Sequence, residues 1–213
     1  MITAPQSPPE APATKVARTT YRGVARRAQI LETAARLFLA HGYAGVSVDT
    51  VVANVGGSKT NVYSQFGNKE GLFTAVVTEL CERFQFDLLA LNLDGLNLAN
   101  GLRLIGKTLL RNLLQEEHIA FQRLITAESA RYPSLAEAWF KAGPQRSRDF
   151  IAAFLEKKKQ SGEFTMPDTT KCASLYHSML VFDPVYLGMV GQRPSSQAID
   201  SHVDQCVSIF TTG

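Results

Sequence analysis

The stretch GGSKTNVYSQFGNKEGLF, Gly56 to Phe73, decides the fold. Gly56 and Gly57 break the helix before them, because a steep turn needs backbone without a Cβ. Ser58 follows as an N-cap, its hydroxyl placed to accept from an orphan N–H of a first helical turn. Lys59 to Phe66 then reads as a short helix with Val62 and Phe66, four residues apart, on its inner face. Lys59, Thr60, Asn61, Tyr63, Ser64 and Gln65 are left outward, with no acid among them. An ordinary solvated helix mixes Glu with Lys. A face of donors and acceptors without negative charge suits a recognition helix in a DNA major groove. Gly67-Asn68 turns the chain again, and a fourth helix starts at Lys69 with Leu72, Phe73, Val76, Val77 and Leu80 inside. Two surface helices joined by a glycine turn share this spacing, so the pattern alone leaves that alternative open.

Upstream, Ser47 is placed to cap a second short helix, with Asp49 favourable in its first turn and Val48, Val51, Val52 and Val55 on its apolar face. Before it, Ile30, Leu31, Ala34, Leu37 and Phe38 form one helical stripe, and Arg26, Arg27, Glu32 and Arg36 fall largely off it. Gly42 is the stop signal of that first helix. Residues 1–24 read as a flexible arm. Pro5, Pro8, Pro9 and Pro12 with interspersed Ala and Ser bury too little to order a fold, and Lys15, Arg18 and Arg22 end the arm with positive charge.

Downstream, helical spacing continues through Leu96–Leu114, Ile119–Ala130, Pro133–Phe140, Gln145–Lys159, Thr169–Leu187 and Gln197–Phe210. Gly143-Pro144 is expected to break one of these helices and Pro184 to disturb another. No segment alternates with period two. The expected class is all-α with about nine or ten helices, organised as the arm (1–24), a three-helix DNA-binding domain (25–72) and a larger helical domain (73–213).

The charge follows the same division. The net charge of the 213 residues is only +3, yet residues 1–72 hold eight basic and four acidic side chains, while the rest holds 14 basic and 15 acidic. The positive excess therefore belongs to the first third, as in a chain with a polyanion-binding end. With 45% hydrophobic residues there is material for a real core, and 15 Gly and 3 Cys are too few for collagen or a disulfide framework. Cys81, Cys172 and Cys206 are isolated, without metal-ligand spacing, and fit a reducing cytosol. The expectation is a cytoplasmic protein with no metal, no cofactor and no membrane span. No GxSxG, HExxH or Walker pattern is found, which disfavours an enzyme.

From Arg27 to Phe73 the chain resembles the TetR (tetracycline-repressor-like) family of bacterial transcriptional regulators. The resemblance is carried by Ile30, Leu31, Ala34, Ala35, Leu37, Phe38, Gly42-Tyr43, Ser47-Val48, Val51, Gly56, Ser58, Val62, Tyr63, Phe66, Lys69, Glu70 and Leu72. The family usually has Val, Gly and Thr where this chain has Gly57, Thr60 and Asn61, so the resemblance does not imply which operator is read. It implies base-edge contacts from Thr60, Asn61 and Ser64, with Gln65 a further candidate. It implies phosphate contacts from Ser47, Tyr63 and Lys69. Ser58 and Lys59 complete the candidate face, and Arg22, Arg26 and Arg27 are candidates to reach phosphates or the minor groove from the arm.

Ala127 to Pro133, followed by Trp139-Phe140 and Gly143-Pro144, resembles the C-terminal domain of the AefR-like subgroup. That resemblance implies a homodimer through the last two helices. The expected interface is Cys172 and Tyr176 with the stripe Ile199, Val203, Cys206, Val207 and Phe210. It also implies an effector pocket, for which Phe121, Glu128, Trp139, Phe140, Tyr176, His177, Met179 and Phe182 are the candidates. The expected protein is a repressor on palindromic double-stranded operator DNA, released by a small apolar or aromatic effector. An architectural DNA-binding protein without effector, and a TetR-like activator, stay open as alternatives.

Overall fold

The computed structural model describes residues 13–212, with side chains from Gly23 onward. Residues 1–12 of the expected arm, and the side chain of Arg22, lie outside the described residues. The described chain forms ten α-helices: α1 (Ala13–His41), α2 (Val48–Val55), α3 (Lys59–Phe66), α4 (Lys69–Leu89), α5 (Leu98–Leu113), α6 (Glu116–Glu128), α7 (Pro133–Phe140), α8 (Arg146–Gln160), α9 (Thr169–Met189) and α10 (Ser196–Thr212). A π turn, Lys141–Gln145, joins α7 to α8. Helix α1 begins at Ala13, so residues 13–24 are helix rather than the arm the composition suggests. The last proline of the cluster is Pro12, and extending an existing helix backwards through Ala, Lys and Arg is far easier than nucleating one.

Helices α1 to α3 pack through their apolar stripes, with Ile30, Ala34, Phe38, Val51 and Val62 all nearly inaccessible to solvent. This core does not end with α3. Leu72, Phe73, Val76, Val77, Leu80, Cys81 and Phe84 of α4 belong to it, as do Phe121, Leu124 and Ile125 of α6 and Leu135 of α7. Tyr43, just after α1, contacts Phe73 and Tyr132 with ring centroids 4.9 and 4.6 Å apart. A second core lies between α5, α8, α9 and α10, and Leu88 of α4 reaches into it. Helix α4 therefore runs from one core to the other.

Two prolines inside helical segments are accommodated by side chains that sequence reading does not pair with them. At Gly143-Pro144 the expected break is a π turn instead, and the rod continues from α7 to α8. Gln85 of α4 donates its amide to the carbonyls of Ala142 (2.9 Å) and Gly143 (2.6 Å), tying the irregular turn to α4. At Pro184 helix α9 likewise runs on to Met189. Proline has no N–H for the carbonyl four residues earlier, which is Leu180. His202 of α10 supplies the donor, its Nε2 lying 2.9 Å from the Leu180 oxygen.

The expected dimer stripe is corrected by the same packing. Cys172, Tyr176, Val203, Cys206 and Val207 are buried inside the chain's own second core, and Ile199 and Phe210 pack half-buried against it. The Tyr176 hydroxyl donates to the Leu102 carbonyl at 2.9 Å. A helix the width of α10 has one strongly apolar stripe, and α5 and α9 already cover it. The apolar side chains left exposed on these two helices are Leu175, Phe182, Tyr186 and Leu187 of α9 and Ile209 of α10, with Val190 just after α9.

Replacing His202 with Ala leaves the Leu180 carbonyl without its donor, and should cost about 1–3 kcal/mol in urea unfolding. In a Pro184→Ala background an N–H is restored four residues from Leu180, and the loss on His202→Ala should shrink. Equal losses in both backgrounds would contradict this assignment.

Candidate DNA-reading surface and effector cavity

The candidate DNA-reading face is built by caps. Ser47 Oγ accepts from Thr50 N at 3.0 Å, Ser58 Oγ from Asn61 N at 3.3 Å, and Asn68 Oδ1 from Gly71 N at 2.8 Å, starting α2, α3 and α4 in turn. Val62 and Phe66 anchor α3 to the core. Lys59, Thr60, Asn61, Tyr63 and Ser64 are exposed and Gln65 is half-buried, so the outward face read from sequence is the outward face in the fold. It carries its own polar pairing. Gln65 Nε2 donates to Asn61 Oδ1, Ser64 Oγ donates to the Asn61 carbonyl at 2.9 Å, and Lys59 pairs with Asp49 at 2.6 Å. The Asp49 carboxylate raises the Lys59 pKa, so Lys59 remains charged.

The turn between α2 and α3 has a clamp of its own. Gly56 and Gly57 hold φ of +73° and +94°, a region that side chains disfavour. Arg26 of α1 reaches over them, donating to the Val55 carbonyl at 2.7 Å and to the Gly56 carbonyl. A Cβ on Gly57 would lie 2.7 Å from the Arg26 guanidinium. Gly57, which departs from the family pattern, suits this turn because of its positive φ, and the flexible end of Arg26 lies over it. Arg26 is turned inward to the protein, and Arg27 lies over the Phe66 ring at 4.4 Å. At the start of α4, the Lys69 ammonium sits 4.1 Å over the Tyr43 ring, and burial lowers its pKa. Burial raises the Tyr43 pKa to about 12, with Tyr132, Glu70 and Glu128 adding to the shift.

A cavity of about 350 Å³ lies at the other end of α4. Its walls are Cys81, Phe84 and Gln85 of α4, His118 and Gln122 of α6, and Trp139 and Phe140 of α7. Gly143 and Pro144 of the π turn, Ser147 and Arg148 of α8, and His177, Ser178, Val181, Phe182 and Val185 of α9 close it, with Leu113. Of the candidate pocket residues, Trp139, Phe140, His177 and Phe182 line this cavity. Phe121 lies in the first core, Tyr176 and Met179 belong to the second, and Glu128 influences Tyr43 and Lys69 at the junction between the halves.

The cavity also holds residues that sequence reading missed. The buried side-chain polar atoms without a hydrogen-bond partner, among the described residues, are Gln85 Oε1, His118 Nδ1, Arg148 Nε and His177 Nδ1. All four residues line this cavity. The available signal was a polar residue on an apolar helical face: Gln85 between Cys81 and Leu88, His118 three before Phe121, and Arg148 three before Ile151. Burial lowers both imidazole pKa values to about 4, and the Arg148 charge contributes at His177. Both rings are therefore neutral at pH 7. Trp139 Nε1 is not free, since it donates to Gln122 Oε1 at 3.1 Å.

Two family descriptions match the two halves. Residues 30–76 match the model described as bacterial regulatory proteins, tetR family, and residues 100–212 match that of the AefR-like transcriptional repressor C-terminal domain. The chain belongs to the TetR family. Among curated TetR-like relatives it is 30% identical over 116 residues to the HTH-type transcriptional repressor AcnR of Corynebacterium diphtheriae, covering 54% of this chain and 56% of that protein. It is 41% identical over 54 residues to the HTH-type transcriptional repressor ComR of Escherichia coli, covering 25% and 26%. The chain thus spans about half the length of AcnR, and less of ComR, in these matches. Among solved structures, a Mesorhizobium loti protein described as a TetR-family transcriptional regulator superposes with a TM-score of 0.81 at 28% identity, covering 90% of this chain and 97% of that one. The flavonoid-responsive regulator FrrA superposes with a TM-score of 0.78 at 26% identity, covering 88% and 96%. No helix among the described residues is long and apolar enough to cross a membrane.

Two outcomes test this geometry. Gly57→Ala should destabilise the protein by about 1–3 kcal/mol, from the positive φ. An unchanged unfolding midpoint would contradict the left-handed conformation at Gly57. The imidazoles give a pH dependence. Their folded pKa values of about 4 lie below the ordinary 6.5, so the unfolded chain binds protons first on acidification. Their contribution is constant above about pH 6.5 and falls progressively toward about pH 4. A His118→Gln, His177→Gln double variant should show a flatter urea midpoint across that window than the parent chain. Identical slopes would contradict the assignment.

Proposed function

We propose that the chain is a sequence-specific DNA-binding transcriptional repressor, acting in the cytoplasm as a homodimer and released from its operator by a small aromatic effector. It is not an enzyme. The observation that carries this reading is the path of α4, which packs the DNA-reading helices at its start and walls the cavity with Cys81, Phe84 and Gln85 near its end. AcnR and ComR are named as repressors and FrrA as flavonoid-responsive, which supports the same reading.

Thr60, Asn61 and Ser64, with Gln65 behind them, read base edges. Ser47, Ser58, Lys59, Tyr63 and Lys69 set the register on phosphates. Arg27 and Arg22 add phosphate contacts from α1. Arg26 is assigned to the α2–α3 turn and is omitted from the contact set. The dimer forms through the open apolar face of α9 and α10. Leu175, Phe182, Tyr186 and Ile209 are 57–68% exposed there, and the Phe182 and Tyr186 rings stack in parallel. Two-fold symmetry then presents two α3 helices to half-sites roughly 34–36 Å apart. An effector binding one spacing of the dimer better than the other shifts the population away from the DNA-binding spacing.

Selection from a random DNA pool should enrich a palindrome. Asn61→Ala should relax one position per half-site, at a cost of about 1–3 kcal/mol in discrimination. Lys69→Ala should weaken all sequences alike and flatten the salt dependence. Binding without an enriched site would favour an architectural DNA-binding protein instead.

A further inference from the structure

The cavity wall has a charge and hydrogen-bonding pattern that narrows its ligand. No Asp or Glu lines it, so Arg148 is its one charged group. The Arg148 Nε–H is buried without an acceptor, and none of the chain's described ion pairs involves this residue. The guanidinium lies 5.3 Å from the Phe140 ring centroid, where it faces aromatic surface rather than a counterion. His118 and His177 contribute no second cation, because burial keeps them neutral. Phe84, Trp139, Phe140, Val181 and Val185 give the wall its aromatic and aliphatic part, beside uncharged polar side chains such as Gln85, His118 and His177.

Gln85 adds an oriented acceptor. Its amide nitrogen is committed to the Ala142 and Gly143 carbonyls, which fixes which end of the amide points where. Gln85 Oε1 is therefore held as an acceptor, buried and without a donor. Unpaired buried polar groups are costly, and a ligand that pairs them gains specificity over one that leaves them unpaired.

We propose that this cavity takes a hydroxylated aromatic carboxylate, its carboxylate on Arg148, its ring between Phe84, Trp139 and Phe140, and its hydroxyl donating to Gln85 Oε1. The assignment rests on the reading of the cavity as the effector site. Arg148 meets the anion with charge-assisted hydrogen bonds, strongest where water is excluded. A small inorganic anion would gain nothing from the aromatic wall and would leave Gln85 Oε1 without a donor.

The chain has one tryptophan, Trp139, and it stands in the cavity wall, so its fluorescence reports occupancy directly. The test uses the full chain and para-hydroxycinnamate, its methyl ester and unsubstituted cinnamate, by calorimetric titration with Trp139 emission read in parallel. The acid should bind at least about tenfold tighter than the ester, and several-fold tighter than cinnamate. Arg148→Met should lose about tenfold for the acid while changing ester affinity by less than about twofold, and Arg148→Lys should keep a preference for the acid. Far-ultraviolet circular dichroism confirms that both variants are folded. Equal affinity of the native chain for acid and ester, or no binding of the acid, would overturn the proposal. Binding of the acid without release of operator DNA would leave the ligand class standing and overturn the effector reading. Release by the ester but not the acid would do the reverse.

Discussion

A single 21-residue helix must keep one apolar face buried from end to end, and much else in the structure is arranged around that constraint. The buried positions of α4 run from Leu72 to Leu88 with no long gap. Its first turns complete the core of the three DNA-reading helices, its middle meets α6 and α7, and Leu88 enters the second core. Because close-packed interiors respond to displacement as units, a shift imposed on Phe84 or Gln85 is felt along the helix. The junction beside it is tied as well. Tyr43 packs at a tilt against both Phe73 and Tyr132, Lys69 lies over Tyr43, and the Ser134 hydroxyl donates to Glu70 at 2.7 Å.

The cavity and the π turn share the Gln85 side chain. Gln85 both stabilises the π turn and offers an acceptor to the cavity, so the turn's geometry and the ligand site are not separable. His202 acts at Pro184, on the same helix that supplies His177 and Phe182 to the wall. His202 replaces the donor that Pro184 removes, whereas Gln85 ties the Pro144-containing turn to α4. The polar residues on apolar faces are thus where the fold and the site meet.

The helices and their caps were legible in the sequence because their causes are local. Ser47, Ser58 and Asn68 cap, glycines turn, and the apolar stripes repeat at helical spacing. The outward face of α3 was legible for the same reason. What required the fold was every choice between partners distant in the chain. The stripe on α10 reads equally well as an interface or as core, and only the presence of α5 and α9 against Val203 and Val207 decides for core. Arg26 reads as one more cation for phosphate until the carbonyls of Val55 and Gly56 are seen within its reach. The pocket candidates were placed by aromatic or polarisable character within the expected helices. Tyr176 and Phe121 proved to be ordinary core, while Gln85, His118 and Arg148 were passed over as isolated polar residues.

The central claim is that occupancy of the cavity changes the separation of the two α3 helices through α4. The three native cysteines are buried, and burial raises each of their pKa values, so an Ala53→Cys chain should take a spin label selectively on the exposed side of α2, which packs on α3 and lies outside the residues assigned to DNA. Pulsed dipolar spectroscopy on the labelled dimer then measures the distance between the two α2 labels, which follows that between the α3 helices. A compound that saturates the Trp139 signal should move the distribution away from the one seen on operator DNA. An unchanged distribution at full cavity occupancy would contradict the account.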